Sequence, residues 1–276
     1  MKINDFEEKA LWLRRELWKM VMRQRKGHIP SYYSCVEIIV ALYYAGVARV
    51  VKGLPDDPNR DRIIVSKGHA AAVQYPVLAD LEYFDRGELE RYTQPGGLLG
   101  MYADFRIPGI EGISGSLGHG VGMGSGFALA AKKNNKNYRT FVVLGDGECY
   151  EGSIWEAAMF AAHHKLDNLV VIVDRNELCI LGKTEDLLSL GNLEAKWRSF
   201  GWETRSVNGH SFEELLDAFS LLGRTRGKPL SIIANTVKGK GISFMEGRAE
   251  WHNKMPDDEQ IATALEELGL KPLVEA

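Results

Sequence analysis

The sequence predicts an α/β protein with a doubly wound, mostly parallel sheet and helices on both faces. Two observations carry this. First, the short apolar runs 140–144 (TFVVL) and 169–173 (LVVIV) have strand length and bracket a helical pattern over 151–165. A strand-helix-strand crossover is right-handed and returns the second strand parallel to the first. The lengths agree: about fifteen helical residues at ~1.5 Å give about 22 Å, and about six strand residues at ~3.3 Å give about 20 Å. Second, the pattern repeats downstream as strand 203–207, helix 212–222 and strand 230–236. Strands alternating with helices belong to a sheet covered on both sides.

The remaining elements follow in order. Residues 5–26 read as an amphipathic helix with Phe6, Ala10, Leu13, Leu17, Met20 and Val21 on one face, ended by Gly27. A more apolar helix spans 35–46. Residues 52–62 form a polar loop with a turn at Asp56-Asp57-Pro58, and 63–65 a short strand that delivers His69. Residues 70–81 are helical, with a kink expected at Pro76. Residues 92–111, rich in Gly and Pro, read as a loop over a site. A helix over 118–133 opens with glycines at alternate positions. Those glycines superficially match a dinucleotide fingerprint. No strand directly precedes them and no suitably placed acidic strand end follows, so close helix packing is the better reading. Residues 178–191 form a loop, Asn192 caps a helix over 193–200, and a last helix covers about 257–268. The whole of 1–276 reads as one domain, with N-terminal helices 5–48 packed on it.

The composition sets bounds. The chain has 276 residues and a net charge of −3, which gives no reason to expect nucleic acid or an anionic membrane as partner. Nothing resembles a signal peptide, and no apolar run reaches about eighteen residues. Cys35, Cys149 and Cys179 are odd in number and scattered, which points to a reducing, cytoplasmic setting rather than a disulfide framework.

The chemistry concentrates where strands end. Gly145-Asp146-Gly147 and Asp174-Arg175-Asn176 directly follow the two central strands, so Asp146 and Asn176 fall at the carboxyl edge of one parallel sheet, where such sheets bind ligands. A carboxylate and an amide oxygen there suit a hard divalent cation. Glycines such as Gly147 let a phosphate approach the backbone, and the following helix offers free N–H groups. The implied ligand is a metal-bound diphosphate. The plainer alternative is an Asp that caps a helix and an Asn in a turn. His28, His69 and His252 each sit on a loop, where functional groups concentrate, and imidazole suits proton exchange near neutral pH. Glu151 has a plain role in compensating the helix dipole, and Lys238 is either a solvated loop lysine or a phosphate partner.

Taken as an ordered set, these residues resemble the thiamine-diphosphate enzymes, and transketolase in particular. The resemblance rests on Gly145-Asp146-Gly147 followed about thirty residues later by Asn176, on Glu151-Gly-Ser-Ile-Trp-Glu-Ala-Ala158 and His163-His-Lys-Leu-Asp-Asn-Leu169, and on Gly27-His28, Ser66-Lys-Gly-His69, Ser114-Gly-Ser-Leu-Gly118 and Lys238-Gly-Lys-Gly241. It runs from about residue 10 to 256. It implies the thiamine-diphosphate-binding fold, with Mg²⁺ (or Ca²⁺ or Mn²⁺) held by Asp146, Asn176 and the Leu178 carbonyl. It implies cofactor contacts from His69, Gly115, Leu117, Gly147, Glu151, Lys238 and His252, and catalytic roles for His28, His69 and His252. Glu151 would face a second active site across a dimer and share a proton with it. His119 has no catalytic counterpart, His163 and His164 read as structural, and His210 as a turn residue.

Transketolases are more than twice this long, and the similarity ends with their first domain. The chain therefore resembles the diphosphate-binding subunit of a split transketolase, which moves a two-carbon ketol unit from a ketose or ketose phosphate to an aldehyde. It would act with a partner carrying the pyrimidine-binding domain, in two copies of each subunit. Some positions depart from the family. Met101 stands where a substrate-binding histidine is usual, Pro30 replaces a glycine, Tyr32 and Tyr33 add bulk beside it, Leu181 replaces an aspartate and Asn253 a glycine. These changes leave two alternatives: an acyl transferase or decarboxylase using a 2-oxo acid or deoxy-ketose, and a degenerate, non-catalytic binding subunit.

Overall fold

The computed structural model describes residues 2–271. Met1 and residues 272–276, which the one-domain reading included, lie outside them. Five strands form one sheet: β1 (Arg62–Val65), β2 (Thr140–Gly145), β3 (Leu169–Arg175), β4 (Glu203–Asn208) and β5 (Leu230–Asn235), in the order β1-β2-β3-β5-β4. Every pairing is parallel. The helices are α1 (Ile3–Gln24), α2 (Ile29–Tyr33), α3 (Val36–Tyr44), α4 (Gln74–Asp80), α5 (Gly120–Lys133), α6 (Gly152–His163), α7 (Thr184–Leu187), α8 (Leu193–Ser199), α9 (Phe212–Phe219) and α10 (Asp258–Glu267).

The centres of β1, β2, β3 and β5 are apolar because both faces are covered, whereas the edge strand β4 is polar and largely exposed. Phe141, Val143, Val170, Ile172 and Ile232 point to a core shared with α1, α3 and α9. Their alternating neighbours Val142, Leu144, Val171, Val173 and Ile233 point to a second core with α5, α6 and α8. Period-two alternation thus divides each strand between two layers of helices.

Local departures have local causes. The left-handed residue that closes α1 is Arg25 (φ 53°), not Gly27. No kink forms at Pro76. A 3-10 segment, Gly68–Val73, precedes α4, and Pro76 sits in the first turn of α4, where a proline breaks no helical hydrogen bond. The 27–34 segment contains α2, and the 178–191 loop contains α7. Asn192 caps α8 as expected, its side chain accepting from the Ala195 N–H.

Candidate active site

The strand ends converge on one cleft of about 170 Å³, lined by Ser31, Lys67, His69, Leu117, Asp146, Gly147, Asn176, Leu178, Lys238 and His252 among others. Ser66 and Lys67 follow β1, Asp146 follows β2, Asn176 follows β3 and Lys238 follows β5. Close approach of backbone makes the convergence possible. A side chain at Gly68 would overlap the Ser114 carbonyl, so the 114–118 loop can lie directly on the 66–69 turn.

Asp146 is 2% exposed. Its Oδ1 accepts from the Gly147 N–H at 2.8 Å and its Oδ2 from the Glu177 N–H at 2.6 Å. The second bond ties it to the residue after Asn176. Asn176 Oδ1 accepts from the Leu178 N–H at 3.1 Å. The plain cap and turn roles are therefore both present, and each oxygen keeps a free lone pair. Burial first, then the Asp174 charge, push the Asp146 carboxyl up to about 6. The carboxylate has backbone donors but no bonded cation, which is the condition a metal ion would relieve. The Leu178 carbonyl already attracts a cation, with Lys238 Nζ at 3.4 Å. Among the described residues no cluster of three or more His, Cys, Asp or Glu side chains could hold a metal. The set here is instead one carboxylate, one amide oxygen and one carbonyl, a hard-oxygen set. Unsatisfied buried atoms agree: Ser31 Oγ, Ser114 Oγ and His28 Nδ1 have no hydrogen-bond partner. The residues fit a metal-bound diphosphate.

Two buried lysines set the potential. Lys67 pairs with Asp174, which also accepts from Ser34 Oγ at 2.6 Å and from the Thr236 hydroxyl. Burial opposes both charges, but their mutual attraction wins, holding Asp174 below and Lys67 above their ordinary ranges. Lys238, 2% exposed, has no such carboxylate, and burial followed by Lys67 pulls it down to about 8. Its Nζ donates to His252 Nδ1 at 2.9 Å. A neutral His252 therefore carries its proton on Nε2.

The rings of His28, His69 and His252 form a triangle with centroid separations of 5.8, 5.4 and 5.0 Å. All three are held neutral. Burial leads in each case, followed by Lys238 for His28 and His252 and by Lys67 for His69; His252 falls to about 3. Neutral imidazoles beside lysines can exchange protons with hydroxyls and carbonyls while the cations attract an anion.

The other expected site residues fall as follows. Leu117 and Gly147 line the cleft, and Gly115 stacks against Gly68. Glu151 is exposed and lies outside the cleft lining. It precedes α6 rather than standing in its first turn, with its Cβ near Gly118. Tyr32 and Tyr33 add no bulk to the site. Both are fully buried, and their hydroxyls meet Tyr92 and the Arg14 carbonyl. Pro30 is buried in α2 and accepts from the Gly239 N–H. Leu181 and Asn253 are exposed. Beside the partly buried Met101, Tyr102 brings its ring 6.3 Å from that of His28. His210 is more than a turn residue, since both ring nitrogens are hydrogen-bonded.

Sequence reasoning assigned no role to Lys67, Asp174, Glu148 or Ser31. Glu148 joins three segments, accepting from the Ser66 hydroxyl and from the Gly118 and Gly145 N–H groups. A signal was available for three of them: Lys67, Asp174 and Glu148 are charged residues at or just past the ends of buried strands, where charge needs a reason. Ser31 gave none.

Residues 12–275 match the family model for the transketolase thiamine diphosphate binding domain. The chain is 39% identical over 268 residues to an apulose-4-phosphate transketolase subunit of Phocaeicola vulgatus, covering 97% of this chain and 95% of that one. It is 37% identical over 265 residues to the 6-deoxy-6-sulfo-D-fructose transketolase subunit SqwG of a Clostridium species, covering 96% of each. Among solved structures, the transketolase of Campylobacter jejuni superposes with a TM-score of 0.89 at 30% identity, over 99% of this chain but 44% of that longer one.

Proposed function

The chain belongs to the transketolase family, through its thiamine-diphosphate-binding domain, and from that membership we propose how its residues divide the work. It is a subunit of a transketolase-type, thiamine-diphosphate-dependent transferase. When bound, the cofactor supplies the carbon that takes up a two-carbon ketol unit and hands it to an aldehyde. Asp146, Asn176 and the Leu178 carbonyl would hold Mg²⁺, or Ca²⁺ or Mn²⁺, which would neutralise diphosphate charge. Lys238 and Lys67 offset phosphate charge, Gly147 lets the phosphate approach, and Gly115 and Leu117 shape the wall over the ring. His69 and His252 meet both cofactor and substrate. With His28 they give and take protons at substrate hydroxyls and the carbonyl oxygen. Glu151, exposed beside the 114–118 loop, faces a second copy.

The observation that carries this reading is the juxtaposition of three neutral imidazoles with a buried carboxylate that lacks a bonded cation. The one domain works with a partner subunit carrying the pyrimidine-binding domain, two copies of each. Support comes from the relatives named as transketolase subunits. The free thiols Cys35, Cys149 and Cys179 suit a reducing cytoplasm, and among the described residues no helix is long and apolar enough to cross a membrane. The named substrates of the relatives carry a phosphate or a sulfo group, so the donor class proposed here is a ketose with a distal anionic group.

A second reading, in which the donor lacks a terminal hydroxyl or is a 2-oxo acid, is favoured by Met101, whose thioether donates no proton. One experiment separates the two. Turnover of the complex with its partner is measured for wild type and Met101→His across hydroxylated and deoxy donors. If Met101 selects a deoxy donor, the histidine shifts preference toward hydroxylated donors by about a hundred- to a thousand-fold, the usual worth of a donor to developing charge. Unchanged preference removes Met101 from substrate selection. Turnover by the chain alone at ordinary enzyme rates removes the partner.

A further inference from the structure

We propose that His210, fixed in one tautomer by Glu37, is a positioning residue that sets Lys238 in the cleft. The Val237 N–H donates to His210 Nε2 at 2.8 Å. That nitrogen must offer a lone pair, so the neutral ring carries its proton on Nδ1. Nδ1 lies 2.9 Å from Glu37 Oε2 and donates to it. Arg14 Nη2 grips the same carboxylate from the other side, at 2.8 Å to Oε1 and 3.0 Å to Oε2. Arg14 Nε also donates to the Lys240 carbonyl at 2.9 Å. One network, buried at Arg14 and Glu37 and partly exposed at His210, built on α1, α3 and the turn before α9, therefore holds the backbone on both sides of Lys238.

Other bonds share in fixing that backbone: the Gly247 N–H donates to the Lys238 carbonyl at 2.9 Å and the Lys240 N–H to the Val237 carbonyl at 3.2 Å. Residues 237–241 lie past the end of β5, with turns over 238–241. The Gly239 N–H donates to the Pro30 carbonyl at 2.9 Å. The side chain between these anchors reaches His252 Nδ1 at 2.9 Å. Arg14, Glu37, His210 and Lys240 line a separate hollow and none lines the cleft. The network reaches the cleft through the loop, and Arg14 Nη2 also donates to the Tyr33 carbonyl of α2 at 3.3 Å. A carboxylate that fixes a histidine, which in turn fixes a ligand group, is a known way to orient a site.

The proposal rests on the reading that Lys238 serves the diphosphate, and its test separates the two. Thiamine diphosphate with Mg²⁺ is titrated by calorimetry into the full chain complexed with its partner. His210→Ala should weaken binding about 10- to 100-fold. His210→Gln, whose amide oxygen can accept from the Val237 N–H, should recover most of it. In a Lys238→Met background, His210→Ala should change affinity less than about twofold, because coupled residues lose their separate effects. An equal loss in both backgrounds would make His210 merely structural and overturn the proposal. In the chain with ¹⁵N-labelled histidine, His210 should show a protonated Nδ1 and a bare Nε2, and His210→Ala should move the His252 Nδ1 resonance. A protonated Nε2, or an unmoved His252 signal, would also overturn it. These resonances need no cofactor. A wild-type complex that bound none would defeat the functional reading and leave the strut to be decided by the spectra.

Discussion

Two buried polar clusters differ in how completely they are satisfied. Behind the cleft, both oxygens of Glu37 and both ring nitrogens of His210 have partners. In the cleft wall Ser31 Oγ has none, nor do Ser114 Oγ and His28 Nδ1 beside it, and Lys238 faces an imidazole rather than a carboxylate. Buried polar groups are nearly always paired, so unpaired ones need a cause. The rear cluster is closed and carries the scaffold. The front cluster lines the cleft. What separates them is that the cleft sets the unpaired Ser31 hydroxyl and Lys238 beside Asp146 and Asn176.

The sharpest way to break this comparison is Arg14→Met. It leaves Glu37 buried with one partner, and removing half of a buried ion pair costs about 3–5 kcal/mol. Urea unfolding should show that loss, and stability unchanged within about 0.5 kcal/mol would mean the rear cluster carries nothing. Ser31→Ala should do the reverse. It removes a hydroxyl oxygen that has no partner, so stability should hold, while cofactor affinity should fall by about 1.5–3 kcal/mol, the worth of a hydrogen bond to a charged group. Unchanged affinity in calorimetry would take Ser31 out of the site.

The smallest effect is with acid. Burial alone would raise the Glu37 carboxyl, but Arg14 and His210 outweigh it and hold it below its ordinary range. A carboxylate lowered in the folded state contributes stability that is present above its unfolded value of about 4.3 and is lost as pH falls through the folded value. Glu37→Gln should therefore flatten the fall in urea midpoint below about pH 4. A fall as steep as in wild type would assign that limb to other carboxylates.

Most of the sheet was legible in the sequence because β2, β3 and β5 are buried on both faces and end in Gly, Asp-Arg-Asn and Asn. Asp146 and Asn176 were legible for the same reason, since a strand end fixes where the next residue goes. The partners of Lys67 and His210 were not. Lys67 meets an aspartate 107 residues away and His210 a glutamate 173 residues away, and no local pattern encodes such pairings. Tyr32 and Tyr33 were misplaced because nothing in a short loop says which way a ring turns. Pro76 was misread because helix phase, not proline itself, decides whether a helix kinks.

The central claim is that Asp146 binds a metal that carries the diphosphate. It is tested most directly by titrating thiamine diphosphate, with and without Mg²⁺, into the wild-type and Asp146→Ala complexes by calorimetry. The account predicts metal-dependent binding in wild type, its loss in the variant by at least about a hundred-fold, or about 2.8 kcal/mol, and an unfolding midpoint that does not fall. Wild-type-like affinity in Asp146→Ala would contradict it.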